Sequence, residues 1–203
     1  PVTNGDYYPS QVYAVQSGTT VHVLYCDTNG TVKYAPFDLV TETWGTAETV
    51  LTEVSNLASD DLSLAYRETS GELVFTYSIS GGSVYYARRS SGGSWSTGNV
   101  VYSGSAYSTT DRTFAIGERV YLFYAKTSPS NQVCVKVLNA SNVLGSEVQV
   151  QANTATITGG SVFKNATTGD YELLVAASYR TSNGGDGSVR LYRLTDADTP
   201  TVT

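Results

Sequence analysis

Four apolar, alternating segments, residues 20–27, 72–79, 119–126 and 171–178, begin roughly fifty residues apart along the chain. Each follows a shorter apolar stretch and a tight turn. The pairs are 9–15 before Ser17-Gly18, 62–68 before Ser70-Gly71, 112–116 before Gly117, and 160–164 before Thr168-Gly169. Such pairs read as hairpins, because the turn residues supply the backbone conformations that reverse a strand. A third run follows in every copy, at 31–37, 83–89, 132–138 and 188–194, and a fourth in three copies, at 44–51, 95–102 and 145–151.

The repeating unit is therefore an antiparallel meander of four strands. One such sheet has two faces to bury, and like sheets packed face to face around an axis bury both. The second strand of each unit is the most apolar, as expected for a strand covered on both sides. The fold class that follows is all-β, a β-propeller of about four four-stranded antiparallel blades in one domain spanning 1–203. The approximate blades are 1–55, 56–106, 107–154 and 155–203. The fourth unit holds only Thr201-Val202-Thr203 where its outer strand belongs, and residues 1–3 could complete it from the other end of the chain. That closure would make a four-bladed ring; the alternative is an arc of a five- to seven-bladed propeller.

Composition excludes several function classes. The formal charge is −6 and Lys and Arg form no run, so nothing here would displace the counterions of a nucleic acid. The longest apolar runs fall far short of the roughly 20 residues that cross a bilayer, so membrane insertion is not expected. The chain opens at Pro1 with no initiator Met or signal-peptide pattern, which reads as a processed protein or a piece of a longer one. Cys26 and Cys134 each lie in a strand-like run and read as free, buried thiols. Sequons begin at Asn29, Asn139 and Asn165. No metal motif and no cofactor fingerprint is present, so the expected cofactor set is none.

Residues 83–97, SVYYARRSSGGSWST, resemble the third strand, turn and fourth strand of a sialidase-like, BNR or Asp-box repeat. In that family the turn reads Ser-x-Asp-x-Gly-x-Thr-Trp. Ser90, Gly93 and Trp95 take their places in it, while Gly92 stands at the Asp position and Ser94 precedes the Trp. A looser echo joins residues 32–38 to Thr43-Trp44-Gly45. The resemblance implies a propeller. Sialidases of this superfamily use an Arg triad, a Tyr nucleophile helped by a Glu, and an Asp acid. The Arg-Ile-Pro motif that usually carries the first arginine does not occur here. Arg112 is its nearest positional relative, Arg67 and Arg180 are placed differently, and no catalytic role transfers.

His22 alternates with Val21 and Val23 and has no Ser, Cys or metal-ligand partner at a readable spacing, so it reads as structural. Asp60-Asp61 and Asp111 precede first strands, where loops of a propeller approach its axis. Paired carboxylates there could serve a glycoside, although Asp before a strand is also ordinary turn chemistry. Segments 27–30 and 183–187 are oxygen-rich but read as turns rather than Ca²⁺ loops. Trp44 and Trp95 open fourth strands at matching positions and are expected to pack between blades. Tyr7, Tyr8, Tyr66 and Tyr107 lie in or beside segments entering inner strands, where a Tyr ring can stack on a sugar face. The expected ligand-binding set is Tyr8, Asp61, Tyr107, Asp111 and Arg112.

These readings favour a non-enzymatic recognition or adhesion module, extracellular or on a virion such as a phage fibre or decoration protein, with a surface glycan or other protein subunits as partners. A homo-oligomer or larger assembly would fit. Two alternatives stand beside it: a purely structural virion or cell-surface scaffold, and a fragment of a sialidase-like glycoside hydrolase.

Overall fold

The computed structural model describes residues 11–26, 31–52, 62–78, 82–106, 112–127, 132–152, 154–179 and 188–203. Blade one holds β1 (Gln11–Ser17), β2 (Thr20–Cys26), β3 (Val32–Asp38), β4 (Thr43–Trp44) and β5 (Glu48–Leu51). Blade two holds β6 (Ser63–Tyr66), β7 (Leu73–Ser78), β8 (Val84–Arg89) and β9 (Trp95–Tyr102). Blade three follows as β10 (Arg112–Ile116), β11 (Arg119–Lys126), β12 (Gln132–Leu138) and β13 (Val148–Ala152). Blade four comprises β14 (Thr154–Lys164), β15 (Tyr171–Tyr179) and β16 (Ser188–Thr195). Every pairing is antiparallel between sequence neighbours, apart from β5, which joins β3 beside β4. This is the expected all-β propeller architecture.

The fourth strand of blade one is split, and blade three repeats the break: Leu144 bridges Leu138, the Gly145 N–H bonds the Val137 carbonyl, and β13 begins only at Val148. The Pro36 carbonyl accepts the Gly45 N–H at 2.8 Å on the outer side of β3, where proline has no N–H to return. A side chain at Gly45 would meet the Pro36 ring at 2.7 Å, so the chain can pass there only as glycine.

The second strands feed two cores at once. Leu73, Phe75 and Tyr77 of β7 pack toward blade one with Leu24 and Tyr34, whereas Val74 packs toward blade three with Val120, Leu122 and Tyr124. Tyr121, Phe123 and Ala125 of β11 face blade four, meeting Leu173 and Val175. Alternate side chains of a strand leave on opposite faces, so a strand sandwiched between blades must be apolar throughout.

Ion pairs and caps fasten blades two and three. Arg67 is fully buried (0% exposed). Its Nη1 donates to Glu72 at 2.8 Å and Asn142 Oδ1 at 2.6 Å, and its Nη2 donates to the carbonyls of Leu138 and Asn139 at 3.1 and 2.8 Å. The Glu118 carboxylate in turn accepts the backbone N–H groups of Thr69 and Ser70. Arg67 is thus a structural tie between blades. Deeper in, the Thr76 and Thr113 hydroxyls share a 2.8 Å bond, and Ser63 Oγ accepts the Thr113 N–H.

Inner strand β1 packs on β6, β6 on β10 and β10 on β14. Among the described residues β14 has no comparable packing on β1, and Val189 and Leu191 of β16 stand 62% and 64% exposed. Residues 201–203 take the outer position of blade four: Val202 bridges Leu194, and Thr203 and Arg193 exchange backbone hydrogen bonds. Residues 1–3 lie outside the described residues. Cys26 and Cys134 are both buried.

Candidate functional site

Inner strands from all four blades wall a central cavity of about 540 Å³ that reaches the hairpin turn at Ser17-Gly18 and, just past β6, Glu68. Val15, Leu64, Phe114 and Val162 supply its apolar wall, one from each blade. Gln16, Ser17, Tyr66, Glu68 and Thr113 supply its polar groups. They converge because each unit sends its first strand to the axis, so equivalent short segments of four distant repeats meet.

Of the two aromatic residues in this wall, Phe114 and Tyr66, only Tyr66 also carries a hydroxyl. Its ring stacks on His22 with centroids 5.4 Å apart and planes 16° apart. His22 is held in turn by a 2.8 Å bond between Nδ1 and the Tyr34 hydroxyl. Burial, and then the charge of Arg89, lower the His22 pKa from its ordinary 6.5, so the imidazole is neutral at neutral pH. Burial raises the Tyr34 pKa. Behind Tyr34, the Arg89 guanidinium lies 4.7 Å over its ring, and the Trp95 ring meets it edge-on at 5.7 Å. Glu48 accepts from Arg89 Nη2 at 2.7 Å and from Trp95 Nε1 at 2.9 Å, and the Arg89 bond holds its carboxyl below the ordinary 4.5. Trp95 therefore packs between blades one and two, as expected, and the row from Trp95 through Tyr34 and His22 braces Tyr66 from behind. Trp44 departs from the expectation: its ring lies tilted at 56° against Phe37 of its own blade, centroids 5.0 Å apart, and it remains 42% exposed beside the break at Gly45.

A second hollow, of about 290 Å³, lies at the turn between β14 and β15 and is lined by Asp170, Tyr171, Glu172 and Asp196. Two of its three carboxylates are engaged: Glu172 pairs with Arg193 and accepts Asn165 Nδ2, and Asp196 accepts the Tyr121 hydroxyl at 2.8 Å and pairs with Arg119. Among the described residues no group of three or more His, Cys, Asp or Glu is placed to hold a metal ion.

Of the residues singled out as ligand-binding, Tyr8, Asp61, Tyr107 and Asp111 lie outside the described residues, as do segments 27–30 and 183–187. Arg112 opens β10 opposite Phe123, half-buried and next to Thr113 of the cavity wall, without lining the cavity itself. Tyr66, picked out by its place near an inner strand, does line it. Glu68 and Gln16 escaped notice because polar residues flanking a Gly turn look the same whether they face open water or a cavity. Their only sequence signal is position, directly beside the turns that end inner strands. The cavity wall offers two aromatic rings, Tyr66 and Phe114, one carboxylate, an amide and hydroxyls, a set suited to stacking and hydrogen bonding with a polar, ring-shaped ligand.

No protein-family model matches the chain, and no curated protein matches it in sequence. Solved structures do match in shape. The BP39L lectin of Burkholderia pseudomallei superposes with a TM-score of 0.73 at 12% identity, over 99% of this chain and 57% of that one. The Aleuria aurantia lectin, described as a six-bladed β-propeller with a novel fucose recognition mode, gives 0.62 at 16% identity over 95% and 60%. An exo-β-1,3-galactanase of Phanerochaete chrysosporium gives 0.57 at 15% identity over 95% and 48%. The chain thus spans roughly half to three-fifths of these structures' length. At such identities the likeness shows the β-propeller fold, common to lectins and glycoside hydrolases alike, and does not single out the Asp-box family.

Proposed function

We propose that this propeller is a non-enzymatic carbohydrate-recognition module that takes a saccharide in its central cavity. The observation that carries the reading is Tyr66, a braced aromatic ring in the wall of a cavity that also presents Gln16, Ser17, Glu68 and Thr113. A sugar offers an apolar face for such a ring and hydroxyls for such polar groups. The shape likeness to lectins supports the same reading. The acidic, Ser-, Thr-, Gly- and Tyr-rich composition supports a place outside the cell or on a virion surface, where such a module would serve adhesion.

Glycoside hydrolysis is the second reading, favoured by the likeness to the galactanase. Hydrolysis ordinarily needs two carboxyl groups flanking the bond, and among the described lining residues only Glu68 carries one. A glycan array tests the proposal. Binding to a defined set of glycans, lost in Tyr66→Ala, is the expected result; binding to none contradicts it, and turnover of a fluorogenic glycoside by this chain would favour the hydrolase.

A further inference from the structure

Resting on the saccharide reading, we infer that Glu68 makes the central cavity charge-selective: amine-bearing sugars bind best, neutral ones less well, and carboxylated ones worst. Glu68 is the single charged side chain among the described residues that line the cavity, and it is exposed. Its neighbour Arg67 does not offset it. That guanidinium is buried in the junction between blades two and three, committed to Glu72, Asn142 and two carbonyls. A second carboxylate, that of Glu118, is held by the N–H groups of Thr69 and Ser70, directly after Glu68 in the chain.

A sugar ammonium entering beside the Tyr66 ring meets both an aromatic face and a carboxylate, the two groups that attract a cation. A sugar carboxylate meets the same carboxylate with no arginine among the described wall residues to receive it, against the −6 charge of the chain as a whole. Unit charges a few ångströms apart in a water-like dielectric change affinity by about fourfold in each direction, and added salt shrinks the difference.

Calorimetric titration of the chain with two matched trios tests this: glucose, glucosamine and glucuronic acid, and galactose, galactosamine and galacturonic acid. The expected order in whichever trio binds is amine, then neutral, then acid, flattened by salt and abolished in Glu68→Gln, whose exposed position leaves the fold intact. An acid binding as tightly as its neutral parent, or an order unchanged in Glu68→Gln, overturns the inference while leaving the saccharide reading standing. Binding of no member of either trio, together with a blank glycan array, would remove that reading and this one with it.

Discussion

Tyr66 of blade two lies nearly parallel to His22 of blade one, with ring centroids 5.4 Å apart. A residue of the cavity wall is thereby oriented by the neighbouring blade, and the junction between blades one and two becomes part of the site. His22→Ala should leave the Tyr66 ring free to rotate and weaken saccharide binding several-fold, less than Tyr66→Ala, which removes the stacking face and about 1–2 kcal/mol with it. Titration of both variants with a bound glycan checks the order. His22→Phe keeps a flat ring behind Tyr66 and should retain more affinity than His22→Ala.

Arg67 holds blades two and three together from a fully buried position. Arg67→Ala leaves the Glu72 carboxylate without that partner and two inner carbonyls without their donor. We expect a loss of about 3–5 kcal/mol, the range for breaking a buried pair, measured by denaturant unfolding. A loss below about 1 kcal/mol would show that the tie is dispensable.

Stability should fall in two steps as the solution is acidified. The folded state lowers the His22 pKa from 6.5, so below that value the unfolded chain takes up a proton that the native site resists, and this contribution is whole above pH 6.5 and lost as pH falls. Glu48, bonded to Arg89, and Glu147 are both lowered from 4.5. In Glu147 burial pushes the other way, and the bonds from Lys126 and Tyr124 outweigh it. Their contribution is present above pH 4.5 and lost below it. Thermal melts across this range should show a shallow decline and then a steeper one, with the shallow step absent in His22→Phe.

Cys134 is buried between blades two and three, and burial, then the charge of Glu147, push its thiol up to about 12. A thiol so placed has almost no thiolate at neutral pH. It should resist a thiol reagent in the native protein and react at once in denaturant; fast native reaction would contradict the packing.

The alternation that built these cores was legible from the sequence. The second strands are the most apolar because each is covered twice, and the bounds at 112–116, 119–126, 132–138 and 95–102 coincide with β10, β11, β12 and β9. Trp44 was less legible, since its exposure follows from the break in strand pairing at Gly45, opposite Pro36, and that partnering is not written locally. The cavity was barely legible. Its wall takes a few residues from each of four strands about fifty positions apart, and only Tyr66 carries a chemical signature strong enough to stand out. The starts of inner strands around Asp61 and Asp111 lie outside the described residues; among the described residues the cavity is walled by strand middles and ends.

The central claim, a saccharide in the central cavity, is tested most directly by following backbone amide resonances during titration with a glycan chosen from the array. The account predicts that shifts concentrate at residues 15–18, 64–68 and 113–115, on three blades at once, and vanish in Tyr66→Ala. Shifts confined to the hollow around Tyr171, or to the outer strands, with these segments silent, would contradict it.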